Sequence, residues 1–380
     1  MKRYYLKYQI ITTVICFLII LFYSSFINAK TVKYSDEELK TIIETLYNHR
    51  SSAFVSGDFS VLEDDFDISS KQGLWAKEHE IKRIKYLMNW SADRGIRFTN
   101  VTSTVRLKKV FESADPLKIA LEETYKFEYV YPKDSITVTN SFGVGIRHSL
   151  GLINKDGKFK ISHDRYTDCF EDALMVYNPS IDGIDTNPEP IFKFNFRIRG
   201  SDYVPESGRY NRVKAAEYAD KFCGAANVEG NNFKYNKKYS DFNGVGGDCT
   251  NFASQVLGDP DGGGLKQDNR WHKGSSAWTN ADGFKQYLIS SGKGREIKGG
   301  TFKELALPQI NYPNGIVDKL DLGDLICYAK GKSMDHFAVI TGWDSHGYPL
   351  VNSHTTDRYH VPWDLGWGDK NICFHLIHVK

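Results

Sequence analysis

Two periods divide the chain. From Ser35 to about Phe54, in SDEELKTIIETLYNHRSSAF, the apolar residues Leu39, Ile42, Ile43 and Leu46 return every three to four positions, the spacing of an amphipathic helix. Ser35 stands where an N-cap belongs and acids fill the first turn. A second helix is expected over Gln72 to Asn89. The period then drops to two. VTSTVRLKKVFES, LKIALEETYKFEYVY, TNSFGVGIRHSLGLIN and KFKISHDRYTD alternate over long runs, parted by the turn signals Asp115-Pro116, Pro132-Lys133-Asp134 and Asn154-Lys155-Asp156-Gly157. Helices followed by a strand meander predict an α+β domain with a curved antiparallel sheet. Its alternating Tyr and Phe residues are expected in the sheet core.

Residues 178–208 hold Pro179, Pro188, Pro190 and Pro205 and read as a linker with one short strand. A new domain opens with the helical YNRVKAAEYADKFC. A polar, glycine-containing loop follows, then the short helix CTNFASQVL, then the strands LICY, HFAVITGW and YPLVNSHT, with a hairpin turn at Gly347. The expected organisation is an N-terminal segment at 1–29, an accessory domain at 30–177, the linker, and a C-terminal domain at 209–380. The strand pattern of the accessory domain resembles the cone-shaped cystatin-like or nuclear-transport-factor-like folds.

Composition narrows the function. The 380 residues are 41% apolar and 14% aromatic, which excludes a disordered chain. A net charge of +2 with no long basic stripe argues against a nucleic-acid partner. The first 29 residues differ: MKRYYLKYQ carries three positive charges and no acid, an apolar run spans Ile10 to Phe26, and INA follows. This reads as a signal peptide cleaved near Ala29. The rival reading is an uncleaved anchor, for which the run is slightly short of the ~20 residues that span a bilayer. Either way the working part is expected outside the membrane, secreted or held at the cell envelope, with a membrane partner only through this segment. Cleavage removes three cations and leaves a net charge of −1. Of six cysteines, Cys16 would leave with the signal. Cys169, Cys223, Cys249, Cys327 and Cys373 remain, an odd set with no CxxC pair and no disulfide scaffold.

The chemistry gathers at GGDCTNFASQ, residues 246–255. Asp248 precedes Cys249, so the thiol is expected at a helix N-terminus, where N–H groups and the dipole favour an anion. Such a place lowers a thiol from ~8.5 into a range of ~3.5–7.5 and supplies donors for an oxyanion. A nucleophile needs a base and the base an orienter. His336 begins the strand HFAVITGW, and strand parity puts Asn352 and His354 together on the next one. His354, Asp357 and His360 in HTTDRYH hint at a metal. On a strand, however, His354 and His360 lie ~20 Å apart at ~3.3 Å per residue, so no metal is expected. DPDGGG, residues 259–264, lacks the oxygens of a calcium loop and reads as a turn. Cys327 and Cys373 sit in apolar strands and read as core. The chain's Trp271, Trp278, Trp343, Trp363 and Trp367 serve either as core or as a wall of the cleft.

GGDCTNFASQ, GDLICY, DHFAVITGW and LVNSHTTDRYH, with YNRVKAAEYAD and RWHKGSSAWTNADGF, resemble the "putative amidase domain" of Gram-positive bacteria. That family is a branch of the papain-like superfamily near the NlpC-type and CHAP cell-wall peptidases. The resemblance covers about residues 209–380. It implies Cys249 as nucleophile, His336 as base and Asn352 as third residue, with His354 the alternative; by their positions beside these, Asp248 and Trp363 are expected at the oxyanion side and cleft. It implies hydrolysis of an amide bond, in a cell-wall peptide or peptidoglycan, with no cofactor. The same residues would serve an acyl or peptidyl transferase, and an inert wall-binding or assembly protein is the alternative from another class.

Overall fold

In the computed structural model, residues 34–111, 115–178, 190–226, 234–368 and 372–380 are described; the expected signal or anchor at 1–29 lies outside them. Helix α1, Asp36–Ser56, starts as the sequence suggests. The Ser35 amide donates to Glu38 at 2.7 Å and the Glu38 amide donates back to Ser35 Oγ at 3.3 Å, a reciprocal cap that satisfies two otherwise unpaired donors. After the short α2, Leu62–Asp65, comes α3, Lys71–Asp93, with Ser70 accepting from the Gly73 amide. The four alternating segments form β1 (Arg97–Phe111), β2 (Leu117–Val130), β3 (Asn140–Lys155) and β4 (Lys158–Thr167), joined as an antiparallel meander on which α3 packs. The short α4, Glu171–Val176, ends this half.

The C-terminal half has its own helical layer: α5 (Arg212–Lys221), α6 (Asp248–Gly258), α7 (Ser276–Thr279) and α8 (Ala281–Ser290). Its strands are β5 (Gly294–Gly300), β6 (Leu325–Lys330), β7 (Ser333–Trp343), β8 (Pro349–Ser353), β9 (Asp357–Pro362) and β10 (Ile372–Val379). Helix α9, Phe302–Ala306, and a 3₁₀ turn at Val317–Lys319 lie between β5 and β6. Strand alternation sends Leu325, Cys327, Phe337 and Val339 into a core beneath α5–α8. It sends Ile326, Tyr328, Ala338 and Ile340 to the other face, where Phe196, Phe302, Trp363 and Phe374 close over them. The fold is α+β.

Every pairing in the sheet is antiparallel, and the order β1-β2-β3-β9-β8-β7-β6-β10-β5, with β4 also on β3, runs without a break through both halves. Lys40–Lys380 accordingly form one compact unit. The joining step is short: Gly143, Val144 and Gly145 pair with Tyr359, Arg358 and Asp357. At its end Gly145 lets Ala225 pack close, because a Cβ there would stand 2.7 Å from the Ala225 methyl. Among residues 190–208 that the sequence offers a short strand, none forms. Phe192, Phe194 and Phe196 pack as side chains against Phe302 and Tyr348 instead, and Arg197 and Arg199 clamp Asp318.

A buried charge network fills the first half. Arg50 pairs with Glu123 and approaches Glu80 at 3.8 Å, and Arg83 bonds Glu80 at 2.7 Å and Asp168 at 3.0 Å. His148 lies between Glu123 at 3.0 Å and Asp164 at 2.9 Å. These seven side chains are all buried, with the guanidinium groups stacked over Tyr47, Tyr125 and Tyr166. Charges removed from water persist only when paired in this way.

Candidate functional site

Cys249 occupies the first turn of α6, as expected. Gly247 caps the helix at φ 84° after Gly246 at φ 101°, a left-handed entry that glycine makes without steric cost. It turns the chain so that α6 starts over β7. The Cys249 amide donates to Thr355 Oγ1 at 3.1 Å. Cys249 is 2% exposed, with its Sγ 3.8 Å from Thr250 Oγ1. Burial pushes this thiol above its ordinary value and the Asp248 charge adds to the rise, although the Phe337 and Thr250 donors oppose it. The helix dipole alone therefore does not make a thiolate here.

His336 stands one residue before Phe337 and faces the other way. Its ring packs on Tyr328 and Trp367, with centroids at 5.7 and 5.5 Å, whereas Phe337 enters the core beneath α6 and α8. Arg358 Nη1 donates to His336 Nε2 at 2.9 Å. Burial first, then the charges of Arg358 and Lys330, hold His336 well below the usual histidine range. The imidazole is thus neutral, with the lone pair on Nε2 engaged. No hydrogen bond joins His336 to Cys249 among the described residues, so the expected dyad is not assembled. Parity is the reason, since adjacent strand residues point to opposite faces.

The other expected site residues are also placed elsewhere. Asn352 is the cross-strand partner of Val339 and shares its face, away from His336. Its amide donates to Asp220 at 2.8 Å, and its oxygen accepts from Thr341 at 2.9 Å and the His360 amide at 2.7 Å. His354 stacks on Phe252 at 4.0 Å and spends both nitrogens, Nδ1 on Asp248 at 2.7 Å and Nε2 on the Phe222 carbonyl at 2.6 Å. Burial works against a charged His354, but the Asp248 bond and charge outweigh it and the value is raised. Both residues tie α5, α6 and β8 together, and neither reaches His336. Asp248, an acceptor from Asn251 and Phe242 as well, anchors the loop and cannot donate to an oxyanion. Trp363 is fully buried between Phe302 and Phe374 and belongs to the core. Trp367 is the tryptophan that stands beside His336.

The remaining expectations divide by environment. Trp271 and Trp278 are core residues bonded to Ser254 and Asn251. The Asp259 segment is a turn, closed by the Gly262 amide on the Asp259 carbonyl at 2.9 Å. None of the five described cysteines forms a disulfide; Cys327 is fully buried and Cys373 partly so. Among the described residues no three His, Cys, Asp or Glu side chains are grouped to hold a metal. His360, the far end of the metal hint, bonds Asp220 at 2.9 Å. Two functional neighbours carried little signal in the sequence. Arg358 and Thr355 both belong to the polar stretch HTTDRYH, with nothing to mark either side chain.

Residues 209–377 match the family model described as "Putative amidase domain", in agreement with the resemblance read from the motifs. Two proteins of Bacillus subtilis (strain 168) are similar to the chain. YjcM is 28% identical over 193 residues, 49% of this chain and 42% of that protein. YhbB is 29% identical over 185 residues, 45% of this chain and 50% of that protein. The chain thus spans about half the length of the curated relatives it matches, and neither name states an activity. The intermembrane space region of chloroplast protein ARC6 aligns with 35% of this chain and 97% of its own at 14% identity and a TM-score of 0.25, a likeness that carries no argument.

Proposed function

We propose that the chain is a cysteine-dependent amidase of papain-like design that works outside the cytoplasm on an amide bond of cell-wall peptide. The observation that carries this reading is the setting of Cys249: a thiol on the first turn of an 11-residue helix, entered through two left-handed glycines, inside the stretch that matches the amidase family. His336 gives its lone pair to the thiol proton, and the thiolate attacks the amide carbonyl. The Cys249 amide then binds the oxyanion in place of Thr355. His336 returns the proton to the leaving amine, and the thioester is cleaved by a water that His336 deprotonates. The reading requires His336 to leave Arg358 and come to the face of the thiol, a rearrangement of the start of β7 and not of the side chain alone. Location and substrate rest on the N-terminal charge and apolar pattern and on the family resemblance.

One observation favours a second reading, a wall-binding protein with an inert site: the thiol and the imidazole do not meet. The purified chain and its Cys249→Ala variant, incubated with Gram-positive sacculi, separate the two. New free amines from the wild type alone, followed by mass spectrometry of the soluble products, are the expected result. Sacculi that bind both proteins and release nothing would favour the inert reading, and equal release by both would remove Cys249 from the chemistry.

A further inference from the structure

The turn between β8 and β9 touches both halves of the proposed machinery at once. Thr355 Oγ1 accepts the Cys249 amide, the donor that a substrate oxyanion needs. Three residues on, Arg358 donates to the lone pair of His336 that the thiol proton needs. The backbone that achieves this is strained. Thr355 and Thr356 stand at φ 55° and 65°, a region β-branched residues rarely enter and that persists only where the surroundings impose it. Arg358 is also held at a cost, since its Nε is buried with no hydrogen-bond partner among the described residues.

The far end of this turn is fastened to the first half of the chain. Arg358 Nη2 donates to the Cys169 carbonyl at 3.2 Å, next to Asp168 of the buried charge network. Asp357 accepts from Arg147 at 3.3 Å, from the Ala225 amide at 3.0 Å, and from Tyr235. Both residues lie in the three-residue pairing of β9 with β3. Cys249 is 2% and His336 4% exposed, so no carbonyl reaches the thiol in this conformation.

We infer that Thr355–Arg358 is an autoinhibitory strap, which fills the oxyanion donor with Thr355, withholds His336 through Arg358, and is itself held shut by the N-terminal half. This rests on the reading of Cys249 and His336 as nucleophile and base. Access to the thiol then requires the strap to lift from Cys249, and the dyad forms only once Arg358 has let go of His336.

The test is the rate at which iodoacetamide alkylates Cys249 in the full chain at pH 7, mapped by peptide mass spectrometry. Thr355→Gly removes the hydroxyl and relieves the backbone, and Arg358→Gln frees the imidazole. Each is expected to raise the rate by about tenfold or more, the equivalent of one lost hydrogen bond. The gain from Arg358→Gln should vanish when His336→Ala is added. Labelling of the core Cys327 in the same digest reports unfolding, and if Arg358→Gln exposes Cys327 the decision falls to Thr355→Gly. Wild-type rates in the folded variants overturn the strap. Amine release from sacculi, measured on the same samples, keeps the two ideas apart. Faster alkylation without release in any variant leaves the strap standing and discards the wall amidase. Undiminished release by wild type, with no gain in either variant, does the reverse.

Discussion

His148 and His336 are equally hidden, each 4% exposed, yet they titrate in opposite directions. His148 sits between two carboxylates. Burial disfavours its charge, but Asp164 and Glu123 outweigh burial and raise it to about 9. His336 faces a guanidinium, so burial and Arg358 act together and hold it neutral. At equal depth, the sign of the neighbouring charge separates the two imidazoles. The first half of the molecule uses its histidine as a structural cation. The second keeps one in the neutral form that a general base requires and occupies its lone pair.

The largest break in this contrast comes from the charge network. Arg83→Met leaves Glu80 and Asp168 buried without their main partner. Removing one side of a buried ion pair costs about 3–5 kcal/mol, so the urea midpoint should fall steeply, with loss of alkylation protection at Cys327 only on global unfolding. A small shift would mean that the network is wetter than its burial implies. Next in size is the pH response of His148. Its folded value lies above the ordinary 6.5, so its stabilisation is complete below about 6.5 and is lost as pH rises through about 9. Between pH 6 and 9 the loss is ~3 kcal/mol from one such shift. Urea unfolding at the two pH values should register it, and His148→Gln should flatten the difference. An equally steep response in the variant would assign the pH dependence to other groups.

The elements with a strong local period were readable from sequence. The helices at 36–56 and 71–93 and the four strands of the first half follow the alternation closely, and the start of α6 follows from Gly-Gly-Asp before Cys249. What the sequence hid is non-local or turns on a single residue. The β3–β9 pairing spans more than two hundred residues and has no mark of its own beyond Gly145. His336 pairs with Tyr328 at the last regular position before a register shift in β7, and no local signal shows that the regular alternation extends to it, although one residue of slip would reverse its face. Glu123 and His148 look like the polar face of alternating strands, yet they point inward to Arg50 and Asp164. Thr355 needed the left-handed turn to bring its hydroxyl to Cys249.

The smallest effect is the one that sharpens the comparison most. If the neighbour's sign sets the state of a buried imidazole, replacing Arg358 by Gln should move the His336 titration upward, by on the order of 1 kcal/mol in protonation free energy. It should not reach His148, because burial is the largest of the causes at His336 and remains after the substitution, as does the Lys330 charge. Asp164→Asn should move His148 the other way, since it removes the strongest opponent of burial there. Histidine ring signals followed by NMR across pH 4 to 10 would report both in one experiment. Opposite movements establish that partners, not depth, separate the two histidines. If His336 stayed where it is in a folded Arg358→Gln protein, burial and the Lys330 charge would account for its neutrality. Arg358 would then block the lone pair by contact, without any part in keeping the ring uncharged.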